Sequence, residues 1–218
     1  MTPEQTPAAR HEFVVTGSQT HYSGAIVALR VDTVAMPGGR AAKREVVEHH
    51  GAVVILALDE QDQVILIRQY RHPLGMRIWE LPAGLLDMDG ESPVIGAGRE
   101  LAEEVGLAAA RWSVLVDIAA SPGFTDETLR IYLAEGLSEV DRPMPEDEEA
   151  DIEIHRIPLA EAVAMALRGE IINGAAVSGL LALAAIRSGA ATPRPVDAPM
   201  AFTPHAFTDR RRAQRPAH

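Results

Sequence analysis

Arg99, Glu100, Glu103 and Glu104 crowd more potential chemistry into one short stretch than any other part of the sequence. On a helix, residues three and four apart are surface neighbours, so the three carboxylates would stand together. Like charges this close repel, and something cationic must gather there. Hard divalent ions such as Mg²⁺ take oxygen ligands and often bridge one or two carboxylates to substrate phosphates. An acidic, solvated helix face has the same composition, and taken alone the cluster favours that bland reading.

The element that must position these groups runs from Gly84 to Leu107, a Gly-rich turn followed by a short helix. Ser92 suits an N-cap, Pro93 a first helical position and Gly106 a stop. Val94, Gly98, Leu101 and Val105 recur at spacings of four, three and four, an apolar stripe for packing on a sheet. Upstream, Gly51–Leu58 and Gln63–Tyr70 are continuous apolar runs that fit strands buried on both faces. Before them, residues 13–47 read as strands and turns, with alternation in Ala28–Val34 and a breaker at Pro37-Gly38-Gly39. This first segment is too small to bury much by itself and must pack on the main domain or on a partner subunit. Downstream, residues 112–120, 129–137 and 152–159 read as strands, Ala160–Arg168 and Val177–Ile186 as helices. Strands and helices alternating around a mixed sheet give an α/β sandwich.

The expected organisation is an N-terminal strand segment (1–45), a main domain (46–187) and a disordered Pro/Ala/Arg tail (188–218). The chain of 218 residues has 47% hydrophobic and 23% charged residues, ordinary for a soluble globular protein. Its formal net charge of -11 argues against a nucleic-acid-binding surface. There are no cysteines, so disulfides, thiolate metal sites and Cys nucleophiles are excluded. No apolar run reaches the length of a membrane span, and the N-terminus has no signal pattern, so the cytoplasm is the expected location.

The order Gly-x6-Glu-x7-Arg-Glu-Leu-x-Glu-Glu-x-Gly-Leu, from Gly84 to Leu107, resembles the signature box of Nudix hydrolases. The usual box has five residues between its first Gly and first Glu; Leu85 to Gly90 supplies six, while the Arg99–Leu107 half is intact. The resemblance implies a Nudix-type α/β/α sandwich preceded by a small β segment, and Mg²⁺- or Mn²⁺-dependent cleavage of nucleoside diphosphates linked to another group. It implies metal ligands at Glu100, Glu103 and Glu104, with the carbonyl of Ala83 just before the box. Arg99 would orient a box carboxylate, and Glu91 would support it or favour the helix N-terminus.

Further stretches are similar to the ADP-ribose pyrophosphatase branch, in its actinobacterial form above all. Lys43–His49 resembles an Arg-Glu pair that meets the adenine and phosphate end of the ligand across a dimer, here Arg44 and Glu45. Gln69-Tyr70-Arg71 resembles a motif whose Arg reaches phosphate. Trp79–Gly84 resembles the lead-in to the box, and Ser121–Glu127 a loop whose Glu, here Glu127, binds terminal ribose. The branch also implies a catalytic base in the acidic loop Glu146–Asp151, Glu149 first and Glu148 second, with Glu103 as the fallback inside the box. The implied activity is hydrolysis of ADP-ribose to AMP and ribose 5-phosphate by a homodimer. Alternatives are another nucleoside diphosphate sugar or a damaged nucleotide as substrate, or a non-catalytic ADP-ribose sensor, although sensors typically lose box glutamates. Bland readings stand beside these: Arg44 and Arg71 as surface ion-pair partners, Trp79 as core. His49, His50, His72 and His155 have no metal-ligand spacing and receive no catalytic part. Ser121 and Thr125 lack a sequence-level His partner, which disfavours a covalent mechanism.

Overall fold

The computed structural model describes residues 12–88, 90–142, 144 and 151–214. In chain order its strands are β1 (Val15–Ser23), β2 (Ala28–Ala35), β3 (Ala41–Glu48), β4 (Ala52–Leu58), β5 (Gln63–Arg71), β6 (Met76–Glu80), β7 (Ala83–Leu85), β8 (Leu107–Ala119), β9 (Thr128–Glu139) and β10 (Glu153–Pro158). The helices are α1 (Pro93–Val105), α2 (Leu159–Leu167), α3 (Gly174–Arg187) and α4 (Ala206–Gln214).

Every residue of β4 is buried, which explains why its sequence is a continuous apolar run rather than an alternating one. Side chains still alternate along it. Val54, Leu56 and Leu58 join Leu66, Ile131, Leu133 and the apolar faces of α2 and α3 in one core cluster. Val53, Ile55 and Ala57 join Ile65, Ile67, Tyr132 and the Ala97-Leu101-Val105 face of α1 in the other. The result is a mixed sheet between helices, ordered β10-β5-β4-β9-β8. β4 and β9 run parallel; β8 and β9 are antiparallel, as are β10 and β5. β4 meets β5 only at Leu58–Val64. Beyond that point the two strands splay, β6 pairing with β5 and β7 with β4. The splay opens a gap lined by the residues just before the box. Among the described residues, no helix is long and apolar enough to cross a membrane.

The expected strands and the first three helices are present. α1 begins at Pro93 behind Ser92 and ends on Gly106 in the left-handed conformation, φ 67°. Ser92 makes no side-chain cap bond. The N-terminal strands form their own antiparallel sheet, β1-β2-β3, whose outer strand β1 is exposed along its whole length. β3 continues through position 45 to Glu48, so that boundary falls inside a strand.

The expectation of a disordered tail is corrected for residues 188–214. Arg194 exchanges backbone hydrogen bonds with Val114 at 2.9 Å each way, and its guanidinium reaches Asp117 at 2.9 Å. Arg130 donates to the Ala198 carbonyl at 2.6 Å. α4 then closes over His50 with Phe207 fully buried, the rings 4.7 Å apart and edge-on. Composition hides this because the anchors are a single aromatic residue and arginines whose carboxylate partners lie far away in sequence.

Burial alone would raise the pKa of Asp117 and of Glu48, but arginine hydrogen bonds outweigh it and hold both below their ordinary values. Unfolded chains therefore take up these protons at higher pH than folded ones. The stability that the pairs contribute is complete above the ordinary values of 3.8 and 4.5 and declines as pH falls through the lower folded values. Hydrogen-exchange protection of α4, corrected for intrinsic rate, should be constant from neutrality to that range and then fall before that of β4. Loss of protection in α4 and β4 together would contradict this.

Candidate active site

Strand β7 is the seam of the site. Ile55 N donates to the Pro82 carbonyl at 2.8 Å and Leu86 N to Gly51 O at 3.1 Å. In an antiparallel ladder alternate residues face opposite edges, so Ala83 turns its amide and carbonyl away from β4. Its amide meets α1 instead, donating to Glu104 Oε2 at 2.9 Å. Gly84 is the point of closest approach: a Cβ there would lie 1.9 Å from Glu100 Cδ. Only a residue without a side chain lets Glu100 lie over the strand.

Glu100 and Glu103 stand beside the apolar stripe, as their spacing implies, but Glu104 does not. It lies on the buried margin of α1, 7% exposed, where the Ala83 amide satisfies it. Arg99 gathers the other box carboxylates. It donates to Glu100 at 2.7 Å and to Glu103 at 2.9 Å, and makes two bonds of 3.2 Å to Glu91. The Glu91 bonds, reinforced by Glu100 and Glu103 against the effect of burial, hold the guanidinium protonated far above neutrality.

The chemistry of the donor set fits a hard divalent cation. Two carboxylates from α1, Glu100 and Glu104, converge on β7, where the Ala83 carbonyl also faces away from the sheet. Among the described residues no group of three acidic or imidazole side chains could hold a metal by itself. A partial oxygen shell of this kind suits Mg²⁺ when substrate phosphates complete it. Glu103, tied to Arg99 on the more open side, is the outer member.

On the other side of β7 the splay between β4 and β5 holds a cavity of about 640 Å³. Ala83 and Gly84 form part of its wall, together with Arg71, Glu80, His49, Glu127 and the start of α3. Arg71 forks onto Glu80 at 2.9 and 2.6 Å, and Glu80 also accepts from Gln69 at 2.9 Å and Asn173 at 3.2 Å. Asn173 caps α3 by accepting from the Ala176 amide at 2.9 Å. The positive end of the α3 dipole therefore borders the cavity, a favourable environment for an anion.

The structure brings Arg71 and Glu127 together in this cavity, next to the box. Arg44 and Glu45 are not in it. They lie exposed on β3, where the Arg44 guanidinium meets the Lys43 carbonyl at 2.8 Å. Glu148 and Glu149 lie outside the described residues. The flanks of their loop are anchored: Arg142 donates to the Glu103 carbonyl at 2.9 Å, and Arg77 pairs with Asp151. Sequence analysis gives Glu80 a place only in the lead-in to the box, and it gives His49 no catalytic part; both line the cavity. Neither motif signals that Glu80 anchors Arg71 or that His49 is tied to the Glu127 loop, since those partners lie far away in sequence.

A NUDIX domain model matches residues 48–176. An ADP-ribose pyrophosphatase of Mycobacterium tuberculosis is 53% identical over 203 residues, 93% of this chain and 98% of that protein. An ADP-ribose pyrophosphatase of Bacillus subtilis is 38% identical across 70% of this chain and 82% of its own length. A methanol dehydrogenase activator of Bacillus methanolicus is 40% identical across 65% of this chain and 76% of its own. The crystal structure of an ADP compounds hydrolase superposes with a TM-score of 0.73 at 23% identity, covering 83% of this chain and 96% of that one. At that identity the likeness speaks to fold alone.

The contact between Gly84 and Glu100 gives a direct test of the metal site. Gly84→Ala should still fold, because the colliding atoms all belong to the Glu100 side chain, which can rotate away, and none to backbone. Displacing Glu100 should weaken Mn²⁺ binding, read by electron paramagnetic resonance titration, by about 10-fold or more. Unaltered Mn²⁺ affinity would remove Glu100 from the ligand set.

Proposed function

The chain belongs to the Nudix hydrolase family, and we propose that it cleaves the pyrophosphate of ADP-ribose to AMP and ribose 5-phosphate, with Mg²⁺ or Mn²⁺. The observation that carries this reading is the shared wall at Ala83-Gly84, with the box carboxylates on one side and a cavity holding Arg71 and Glu127 on the other. Identity to the mycobacterial ADP-ribose pyrophosphatase across nearly the whole chain supports the substrate.

In this reading Glu100, Glu104 and the Ala83 carbonyl would hold the metal, with Glu103 as a further ligand. The chemistry such an ion would supply there is neutralisation of charge on the phosphate oxygens. Arg71 turns from Glu80 towards phosphate, and Glu80 keeps its bonds from Gln69 and Asn173. The start of α3 adds its dipole. Glu127 accepts hydrogen bonds from the terminal ribose. A water attacking phosphorus must lose a proton, and Glu149 is the proposed acceptor, ahead of Glu148 and then Glu103. Arg142, just before that acidic stretch, donates to the Glu103 carbonyl of the box helix, which supports this choice. A non-catalytic sensor is disfavoured because Glu100, Glu103 and Glu104 are all retained.

Arg44 and Glu45 reach a ligand only from a second copy of the chain, so a homodimer is the proposed assembly, with β1–β3 as the shared arm. Exposed Phe13, Val14, Tyr22 and Ile26 on this arm support it.

The assay is turnover of ADP-ribose against other nucleoside diphosphate sugars and nucleoside triphosphates, with Mg²⁺. ADP-ribose should give the highest kcat/KM. Glu104→Gln should lose at least ~10²-fold in kcat, the scale of one preorganised electrostatic group. Glu149→Gln should lower kcat far more than KM and remove the acidic limb of its pH profile, while Glu148→Gln changes little. A faster reaction on a different substrate class would replace ADP-ribose in this reading, and a dead Glu148→Gln beside an active Glu149→Gln would move the base by one residue.

Sedimentation velocity tests the assembly. The full chain should sediment as a dimer, and deletion of residues 1–45 should give a monomer that no longer binds ADP-ribose. A fully active monomer would rule out the shared arm.

A further inference from the structure

Residues 48–51 connect the N-terminal sheet to β4, and α4 grips this link at several points. Arg210 forks onto Glu48 with two bonds of 2.8 Å, and Arg30 of β2 reaches the same carboxylate at 2.7 Å. Thr208 Oγ1 lies 3.0 Å from His50 Nδ1. Phe207, fully buried, packs edge-on against the His50 ring, and Pro204 lies against Gly51. The remaining member of the link, His49, lines the cavity.

His49 is held closely. Its amide donates to Asp126 Oδ1 at 2.9 Å, tying it to the loop that carries Glu127. Its ring Nδ1 accepts from the Gly51 amide at 3.1 Å. A nitrogen that accepts a hydrogen bond presents a lone pair, so a neutral ring in this geometry would carry its proton on Nε2. The Glu127 carboxylate lies 3.5 Å from Nδ1. The imidazole and the carboxylate both line the cavity. That pair matches neighbouring hydroxyls on a sugar, one oxygen accepting from Nε2–H while the other donates to Glu127.

We infer that His49 is a substrate-binding residue, contacting the sugar hydroxyls beside Glu127, and that Phe207, Thr208 and Arg210 of α4 are positioning residues that seat it. The inference rests on the reading of the cavity as the site of a nucleoside diphosphate sugar. α4 acts through the 48–51 link, not by reaching the ligand. The Gly51 amide that fixes the ring is itself next to His50, which α4 holds. Releasing α4 therefore frees the hydrogen bond that selects the tautomer.

The test uses the full chain with ADP-ribose and Mg²⁺, and the variants Arg210→Ala, Arg210→Lys, His49→Ala and His49→Ala/Arg210→Ala. Glu48 keeps Arg30 when Arg210 is removed, so the fold should survive. Arg210→Ala and His49→Ala should each raise KM by about 5- to 10-fold, the loss of one hydrogen bond to substrate, with kcat nearly unchanged. Arg210→Lys should recover part of the loss. The double variant should be no worse than His49→Ala, because the two residues act in series. A merely structural role for α4 would lower thermal stability without this KM pattern, and additive effects would overturn the inference. Nitrogen-15 spectra of the histidine rings give a readout that needs no substrate. Wild-type His49 should show the Nε2–H tautomer, and Arg210→Ala should shift it towards a mixture. An unchanged His49 signature overturns the seating by α4. If the wild-type protein does not turn over ADP-ribose, the proposed substrate fails, and the ring spectra still decide the seating.

Discussion

Burial of β4 on both faces is the constraint from which the site follows. A strand with no exposed residue needs cover on each side, and α1 supplies one side while α2 and α3 supply the other. Each fully buried aliphatic side chain contributes about 1.5–3 kcal/mol, against roughly 0–1 kcal/mol for an exposed ion pair. Hydrophobic packing therefore decides how α1 sits. Once Ala97, Leu101 and Val105 point into the sheet, Glu100 and Glu103 can only flank it, and Glu104 must lie at its buried edge. The pairing of β7 with the first half of β4 then brings Ala83 and Gly84 beneath them. The carboxylates owe their geometry to apolar residues that never touch a ligand.

Electrostatics act within that frame. Arg99 restrains the repulsion among Glu91, Glu100 and Glu103, so the acidic cluster is compatible with a folded helix before any metal binds. Across the seam, Arg71 and Glu80 form a similar arrangement with a different consequence. The Glu80 side chain is 3% exposed and that of Arg71 42%. A buried carboxylate left alone would be costly, but Gln69 and Asn173 also donate to it. Glu80 is thus held by groups other than Arg71, and it fixes the more exposed Arg71 along the cavity wall.

Much of this was legible in the sequence because it depends on local pattern. The double-sided burial of β4 and β5 shows in their unbroken apolar runs. The limits of α1 show in Ser92, Pro93 and Gly106, and the box glutamates show in their spacing. Arg71 and Glu127 were marked by short motifs, and the structure brings them to one cavity. What sequence could not supply were relations between distant residues. The inward turn of Glu104 depends on the Ala83 amide, 21 positions away. The helical spacing alone put that side chain beside the stripe. The order in residues 188–214 depends on pairs such as Arg210 with Glu48, separated by 162 positions. No periodicity announces a segment held by individual arginines.

The Arg30–Glu48–Arg210 cluster illustrates what such a network does for a fold. It joins the N-terminal sheet, the link to β4 and the tail at one carboxylate, whose side chain is 1% exposed. A buried ionic triad is weak as a source of stability, since desolvation offsets much of the attraction and apolar substitutes of the same shape can be equally stable. Its stronger effect is selective. An apolar contact tolerates sliding, whereas two guanidinium groups sharing one carboxylate fix distance and angle. Three segments far apart in sequence are thereby held to one junction. Because His49 follows Glu48 directly, the precision of that junction passes into the cavity wall.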